Sequence, residues 1–174
     1  KKLSEDLVQR NPEQGSSSSS LRARYFHESA VGFFGYGREQ NYKEAKELYE
    51  ESERRGIVEA SNCLGKMYLN GDGVVREYEK AWRHFLISGE QYQNKDGLYW
   101  MGYMYEKGLV RSGGSAQGKR IMIDLTQDGI EKAVEFYQKS ARLGQSEAMT
   151  DLGYIYENGL IGKKNKEMAK KYYE

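Results

Sequence analysis

Cys63-Leu64-Gly65-Lys66-Met67-Tyr68-Leu69-Asn70-Gly71 returns as Trp100-Met101-Gly102-Tyr103-Met104-Tyr105-Glu106-Lys107-Gly108. It returns again as Asp151-Leu152-Gly153-Tyr154-Ile155-Tyr156-Glu157-Asn158-Gly159, with a fainter echo at Ser29–Gly37. The closing glycines Gly37, Gly71, Gly108 and Gly159 lie 34, 37 and 51 residues apart. A period in the mid-thirties predicts helical hairpins stacked in line.

Each unit divides into two helices. In the first helix of the second unit, Ala60, Leu64, Met67 and Tyr68 fall at i, i+4, i+7 and i+8, which is one helical face. Gly71 follows where the chain must leave the helix in a left-handed conformation, and Gly159 repeats it. In the second helix, Glu44–Gly56 aligns with Lys132–Gly144. Its core face is Ala45, Leu48, Tyr49 and Ser52, matched by Ala81, Phe85 and Ser88 in the next unit. Gly65, Gly102 and Gly153 stand inside helices, where glycine costs about 1 kcal/mol relative to alanine. Their recurrence predicts a close helix crossing, with Ala45, Ala81, Ala133 and Ala169 opposite. Tyr68, Tyr105 and Tyr156 are expected to pack against Tyr49, Phe85 and Tyr137. Leucine at Gly65 or Gly153 is expected to overpack the crossing and collapse the array.

These residues resemble the Sel1-like repeat: Ala-x-x-x-Leu-Gly-x-x-Tyr-x-x-Gly, then Lys-Ala-x-x-x-Tyr/Phe-x-x-Ser. The best stretch is Ala60–Ala81, and the resemblance runs over about residues 22–174. It implies an all-α fold, a right-handed α/α superhelical solenoid of tetratricopeptide-like hairpins. It further implies a non-enzymatic adaptor or scaffold that holds a protein or peptide on its concave face. Related arrays serve in membrane-protein degradation, signalling and bacterial secretion. The alternative is an accessory domain that positions substrate for a larger enzyme such as a kinase. Cysteine-rich Sel1-like proteins that bind β-lactams carry a disulfide in each repeat, and the single Cys63 argues against membership of that group.

The sequence departs from the pattern in four places. Phe26 and Ala30 occupy the positions of Ala60 and Leu64, which makes the first unit a candidate degenerate cap. Tyr92 stands where the second unit should end its helix with glycine, and one extra residue precedes Gly97. About fifteen extra residues lie between Leu109 and Asp128, an insertion at about 110–127. The last helix stops a turn short, so the chain is expected to be a slice of a longer array. Residues 1–20, with Pro12 and the run Ser16–Ser20, read as a flexible tail ahead of a repeat region at 21–174.

Composition narrows the function further. Among 174 residues there are 27 Lys and Arg against 26 Asp and Glu, too balanced for a nucleic-acid-binding stripe. Fifteen tyrosines and 13% aromatic content separate the chain from disordered sequences despite a mean hydropathy of −0.88. No apolar run approaches membrane-spanning length, so direct membrane insertion is not expected. A lone cysteine favours a reducing, intracellular setting.

Chemistry-bearing motifs are sparse. Gly113–Arg120 approximates a phosphate-binding loop, but Arg120 replaces the hydroxyl that would hold magnesium, and no strand precedes it. The apolar run Ile121–Leu125 beside it either packs back on the array or serves as a docking segment. His27 and His84 lie in different units without metal-like neighbours, and Cys63 has no base placed beside it. The pairs Glu47/Glu51 and Glu131/Glu135 read as solvated faces rather than an acid/base dyad. No catalytic residue, metal or small-molecule cofactor is expected.

Opposite the buried face at 100° per residue lie Asn62, Lys66 and Leu69. Their equivalents are Tyr99, Tyr103 and Glu106, then Thr150, Tyr154 and Glu157. Asn62, Lys66, Tyr99, Tyr103, Thr150 and Tyr154 are therefore the candidate partner-binding residues. Tyr99, Tyr103 and Tyr154 would form a tyrosine ladder, since tyrosine gives large contact area at low entropic cost. The competing reading makes these rings structural, stacked between units.

Overall fold

A computed structural model describes residues 38–110 and 127–174, with side chains from Tyr42 onward. The N-terminal tail, His27, the first unit's Phe26 and Ala30, the Gly113–Arg120 loop and the Ile121–Leu125 run lie outside the described residues. Seven α-helices are described: α1 (Arg38–Arg54), α2 (Val58–Asn70), α3 (Tyr78–Leu86), α4 (Lys95–Glu106), α5 (Gln127–Arg142), α6 (Ser146–Asn158) and α7 (Lys166–Tyr173). No strand occurs among the described residues. This is the all-helical α/α repeat architecture that the internal period predicts. The chain divides into two compact units, one ending at Ala81 and the other spanning Trp82–Glu174.

In the first unit, Tyr42, Ala45 and Tyr49 of α1 pack with Ala60, Leu64 and Met67 of α2, all buried. The left-handed stop falls where the sequence places it, with Gly71 at φ 83° and Gly159 at φ 71°. The Gly71 N–H donates to the Met67 carbonyl at 2.8 Å. The following loops share a second tether. Glu77 N–H donates to the Tyr68 carbonyl at 3.0 Å, and Asn165 N–H donates to the Tyr156 carbonyl at 2.8 Å. Both ties span nine residues, so two loops of unrelated sequence close identically.

The second unit holds the other core, where Ala133, Val134, Tyr137 and Ala141 of α5 meet Ala148, Leu152 and Ile155 of α6. The extra residue before Gly97 has a defined structural outcome. The end of α3 widens into a π-helical turn over Ile87–Gln91. One inserted residue is absorbed as one wider turn, the usual origin of such a bulge. Elsewhere the helix end closes from Ser52 to Ile57 at 3.0 Å and from Ser140 to Gln145 at 3.3 Å; here it closes one residue later, from Ser88 to Asn94 at 3.0 Å. The left-handed position held by Gly56 (φ 80°) and Gly144 (φ 82°) falls on Gln93 (φ 51°). Asn94 then caps α4, its side-chain oxygen accepting from the N–H groups of Asp96 and Gly97 at 2.9 and 3.2 Å. A Cβ on Gly97 would lie 2.5 Å from the Gly89 nitrogen and 2.1 Å from Ser88 Oγ, so the widened turn sits directly on the start of α4.

The small-residue columns behave as close-approach sites. A Cβ on Gly102 would lie 2.6 Å from Tyr137 Cδ1 and 3.2 Å from the Ala133 carbonyl oxygen. A Cβ on Gly153 would lie 2.3 Å from Tyr173 Cε1. The two contacts differ in one respect: Tyr137 is fully buried, whereas Tyr173 is 50% exposed. A side chain at Gly153 therefore meets a ring with solvent beside it, where one at Gly102 meets a ring enclosed on all sides. The aromatic pairing also differs from expectation. Tyr137 lies over Gly102, and Tyr105 instead stacks on Phe136 at 5.6 Å. Tyr156 stacks on Tyr172 at 5.7 Å in the same way.

Candidate functional site: the outer face of α4 and α6

The six sequence-predicted residues separate by burial. Asn62 is 5% exposed and Leu69, its companion on the supposed open face, is 7% exposed. This corrects the expectation for both. Eight of the thirteen positions of α2 are buried, so its buried arc extends well past one face. The strip left to solvent runs through Glu59, Lys66 and Asn70 and misses Asn62 and Leu69. Lys66 is half-buried.

On α4, Tyr99 turns inward. Its ring lies 5.6 Å from Tyr137 and 5.4 Å from Trp100. Burial, then the Asp151 charge, raises its ionisation above the ordinary tyrosine range. Tyr103 is half-buried, with Trp100 against its edge at 5.3 Å and the Lys107 ammonium 5.5 Å above its face. On α6, Thr150 is exposed and its hydroxyl donates to the Ser146 carbonyl at 3.1 Å. Tyr154 is 56% exposed. Tyr99, Tyr103 and Tyr154 therefore differ by position: the first is half-buried against the core, the second is half-buried under Trp100 and Lys107, and the third faces solvent.

Sequence reasoning missed a recurrent polar latch. Tyr137 of α5 donates its hydroxyl to Glu106 Oε2 of α4 at 2.7 Å, and Tyr173 of α7 donates to Glu157 Oε2 of α6 at 3.1 Å. In each hairpin glycine admits the ring, and the glutamate one turn later receives the hydroxyl. The corresponding positions of the second repeat carry Leu69 and Phe85, where acceptor and hydroxyl are absent together. That paired change was visible in the sequence. Glu106, expected on the open groove, is thus drawn into the hairpin. Two further bonds tie α4 to the end of α5: Ser140 Oγ donates to the Lys95 carbonyl at 2.7 Å, and Gln145 Nε2 donates to Asp96 Oδ1 at 2.9 Å.

Among the described residues no group of three or more His, Cys, Asp or Glu could hold a metal ion. None of the described helices is long and apolar enough to cross a membrane. Cys63, the single cysteine of the chain, is half-buried.

The sequence profile of the Sel1 repeat matches residues 29–57, 58–92, 95–145 and 146–174, four successive repeats. The chain belongs to the Sel1 repeat family. It is similar to an uncharacterised Sel1-like repeat-containing protein of Schizosaccharomyces pombe, 28% identical over 109 residues, covering 60% of this chain and 16% of that protein. It is also similar to human protein sel-1 homolog 2, 29% identical over 72 residues, covering 41% of this chain and 10% of that protein. The chain thus spans a minor part of the relatives it matches. Among solved structures, it resembles c5321, a protective antigen of uropathogenic Escherichia coli strains with an SLR fold. The TM-score is 0.66 at 25% identity, over 92% of this chain and 30% of that one. A Sel1 repeat protein from Oxalobacter formigenes shares the fold with a TM-score of 0.66 at 24% identity, over 92% of this chain and 57% of that one. Sel1 repeat proteins generally mediate protein–protein interaction and are typically non-enzymatic.

Proposed function

We propose that this Sel1 repeat chain is a non-enzymatic adaptor whose first-helix face, on α4 and α6, holds a protein or peptide partner. The observation that carries this reading is Tyr154, a large aromatic left 56% exposed on a helix whose other aromatic, Tyr156, is stacked away. Thr150 is exposed one turn before it, and Tyr103 holds the equivalent position on α4. Tyrosine in such a setting offers contact area and a hydroxyl with two rotatable bonds to immobilise. Tyr99 and Asn62 contribute rigidity beneath the surface instead of contact.

The test compares wild type with Tyr103→Ala/Tyr154→Ala in affinity capture from the native source, with circular dichroism confirming equal helicity. Loss of a specific partner in the double variant supports the reading. A partner retained at full occupancy refutes it. Tyr99→Ala is the contrasting variant, since it should lower stability as well as capture.

A further inference from the structure

The loop between α6 and α7 carries a charge that its counterpart does not. Residues 159–171 align with 71–83 without a gap. Both stretches begin on a left-handed glycine, both close through the same backbone tether, and both bury an alanine, Ala169 or Ala81. The backbone frame is shared, but the charges on it differ. In 71–83 three cations, Arg76, Lys80 and Arg83, stand with three acids, Asp72, Glu77 and Glu79. Lys80 pairs with Glu77 at 2.8 Å, and Arg76 donates to the Asn70 carbonyl at 3.0 Å. In 159–171 five lysines, Lys163, Lys164, Lys166, Lys170 and Lys171, stand with one acid, Glu167. All five are exposed. Lys170 pairs with Glu174 at 3.4 Å, and the other four have no ion pair or side-chain hydrogen bond among the described residues.

The fold does not call for this charge. Lys166 opens α7, and Lys163 and Lys164 come just before its cap Asn165, so three ammonium groups stand at the positive end of the helix dipole. Lys166 and Lys170 are four residues apart on one helix, a spacing at which like charges repel. The loop is nonetheless fixed. The Asn165 side-chain oxygen accepts from the Met168 N–H at 3.0 Å, and a Cβ on Gly159 would lie 2.9 Å from the Lys164 nitrogen. Cations held on a fixed frame against its own electrostatics, and left unpaired, attract an anionic partner. We propose that this lysine loop docks an acidic segment of a protein partner, a run of Asp and Glu side chains. Charge complementarity favours that occupant over two others. Entry into an anionic bilayer needs apolar side chains beside the cations, and Leu160 and Ile161 are packed on the α5–α6 core instead. A continuous phosphate backbone would run against Glu157, Glu167 and Glu174, all exposed on the same two helices and their ends. A short run of carboxylates can stop before it meets them. This surface rests on the adaptor reading above only in taking the partner to be a protein, and it does not use Tyr103 or Tyr154.

The experiment measures binding of a fluorescein-labelled deca-glutamate peptide by fluorescence anisotropy. Wild type should bind it, with an affinity that falls as salt rises from about 50 mM to about 500 mM. Lys163→Gln/Lys164→Gln/Lys166→Gln should lose about tenfold in affinity. Lys43→Gln/Arg54→Gln/Lys80→Gln, which removes three cations from α1 and α3, should bind as wild type does. Tyr103→Ala/Tyr154→Ala should also bind as wild type does, which separates this surface from the α4 and α6 face. Carbodiimide crosslinking of wild type to the peptide, mapped by mass spectrometry, gives an answer without any variant, with adducts expected at Lys163, Lys164 and Lys166. No binding at about 50 mM salt, equal losses in the two cation-deleted variants, or adducts spread evenly over the lysines of the chain overturns the proposal. Tighter binding of phosphatidylserine vesicles or of an oligothymidylate than of the peptide also overturns it. Absence of peptide binding beside a cellular partner lost in Tyr103→Ala/Tyr154→Ala would remove this surface and leave the adaptor reading standing.

Discussion

Alanine substituted at two equivalent glycines should give opposite results. Gly102 and Gly153 occupy the same position in successive hairpins, and each lies under the tyrosine four residues after the buried alanine of the following helix, Ala133 or Ala169. At either site alanine gains about 1 kcal/mol of helix propensity. At Gly102 the new methyl meets Tyr137 at 2.6 and 2.8 Å and the Ala133 carbonyl oxygen at 3.2 Å. Tyr137 is fully buried, and its hydroxyl is bonded to Glu106. The ring cannot retreat without breaking that bond and displacing Tyr99. Overpacking of this kind costs about 1–3 kcal/mol, and loss of the hydroxyl bond adds about 1 kcal/mol. Gly102→Ala should therefore be destabilised by about 1–3 kcal/mol net. At Gly153 the obstructing ring is Tyr173, half exposed and held by a 3.1 Å bond at the surface. It can swing outward at little cost, so Gly153→Ala should be neutral or more stable by up to about 1 kcal/mol. Urea melts followed by circular dichroism measure both. A Gly102→Ala variant as stable as wild type, or two variants that behave alike, would refute the packing argument.

Three other outcomes follow from the same contacts. The Ser52 hydroxyl is buried with no hydrogen-bond partner among the described residues, whereas its equivalent Ser140 donates to Lys95. Ser52→Ala should be neutral or stabilising and Ser140→Ala should cost about 1 kcal/mol, read by chemical denaturation. Gln93→Gly should raise the melting temperature, because φ 51° costs a non-glycine residue about 1 kcal/mol that Gly56 and Gly144 do not incur. Burial, then the Glu106 charge, raises the ionisation of Tyr137 far above 10. Its stabilising contribution is complete below pH 10 and is lost as alkaline pH forces ionisation. Absorbance at alkaline pH should then show Tyr137 ionising only with loss of helical signal, and smooth titration of every tyrosine in folded protein would contradict this.

Much of the fold was legible because the repeat displays the same physical need several times. Gly71 and Gly159 end their helices in the left-handed region, and Ala45, Ala81, Ala133 and Ala169 are all buried, as periodicity alone predicts. Three features escaped that reading for different reasons. The widened turn at Ile87–Gln91 comes from one inserted residue, and a helical wheel records a phase slip without saying which backbone geometry absorbs it. The burial of Asn62 and Leu69 reflects a buried arc wider than the apolar stripe, a width that the periodicity of a single helix does not reveal. The Tyr137–Glu106 bond joins residues 31 apart, so no local rule reaches it. Only the joint replacement by Phe85 and Leu69 in the neighbouring repeat carried its signal.

The central claim is that Tyr154 stands at the partner interface. The most direct measurement is photo-crosslinking with a benzophenone amino acid placed at Tyr154, with Val75 as the comparison, since Val75 is 79% exposed on the loop after α2. The account predicts a discrete crosslinked partner from position 154 and none from position 75. The same partner captured from 75 and not from 154, or no partner from either, would contradict it.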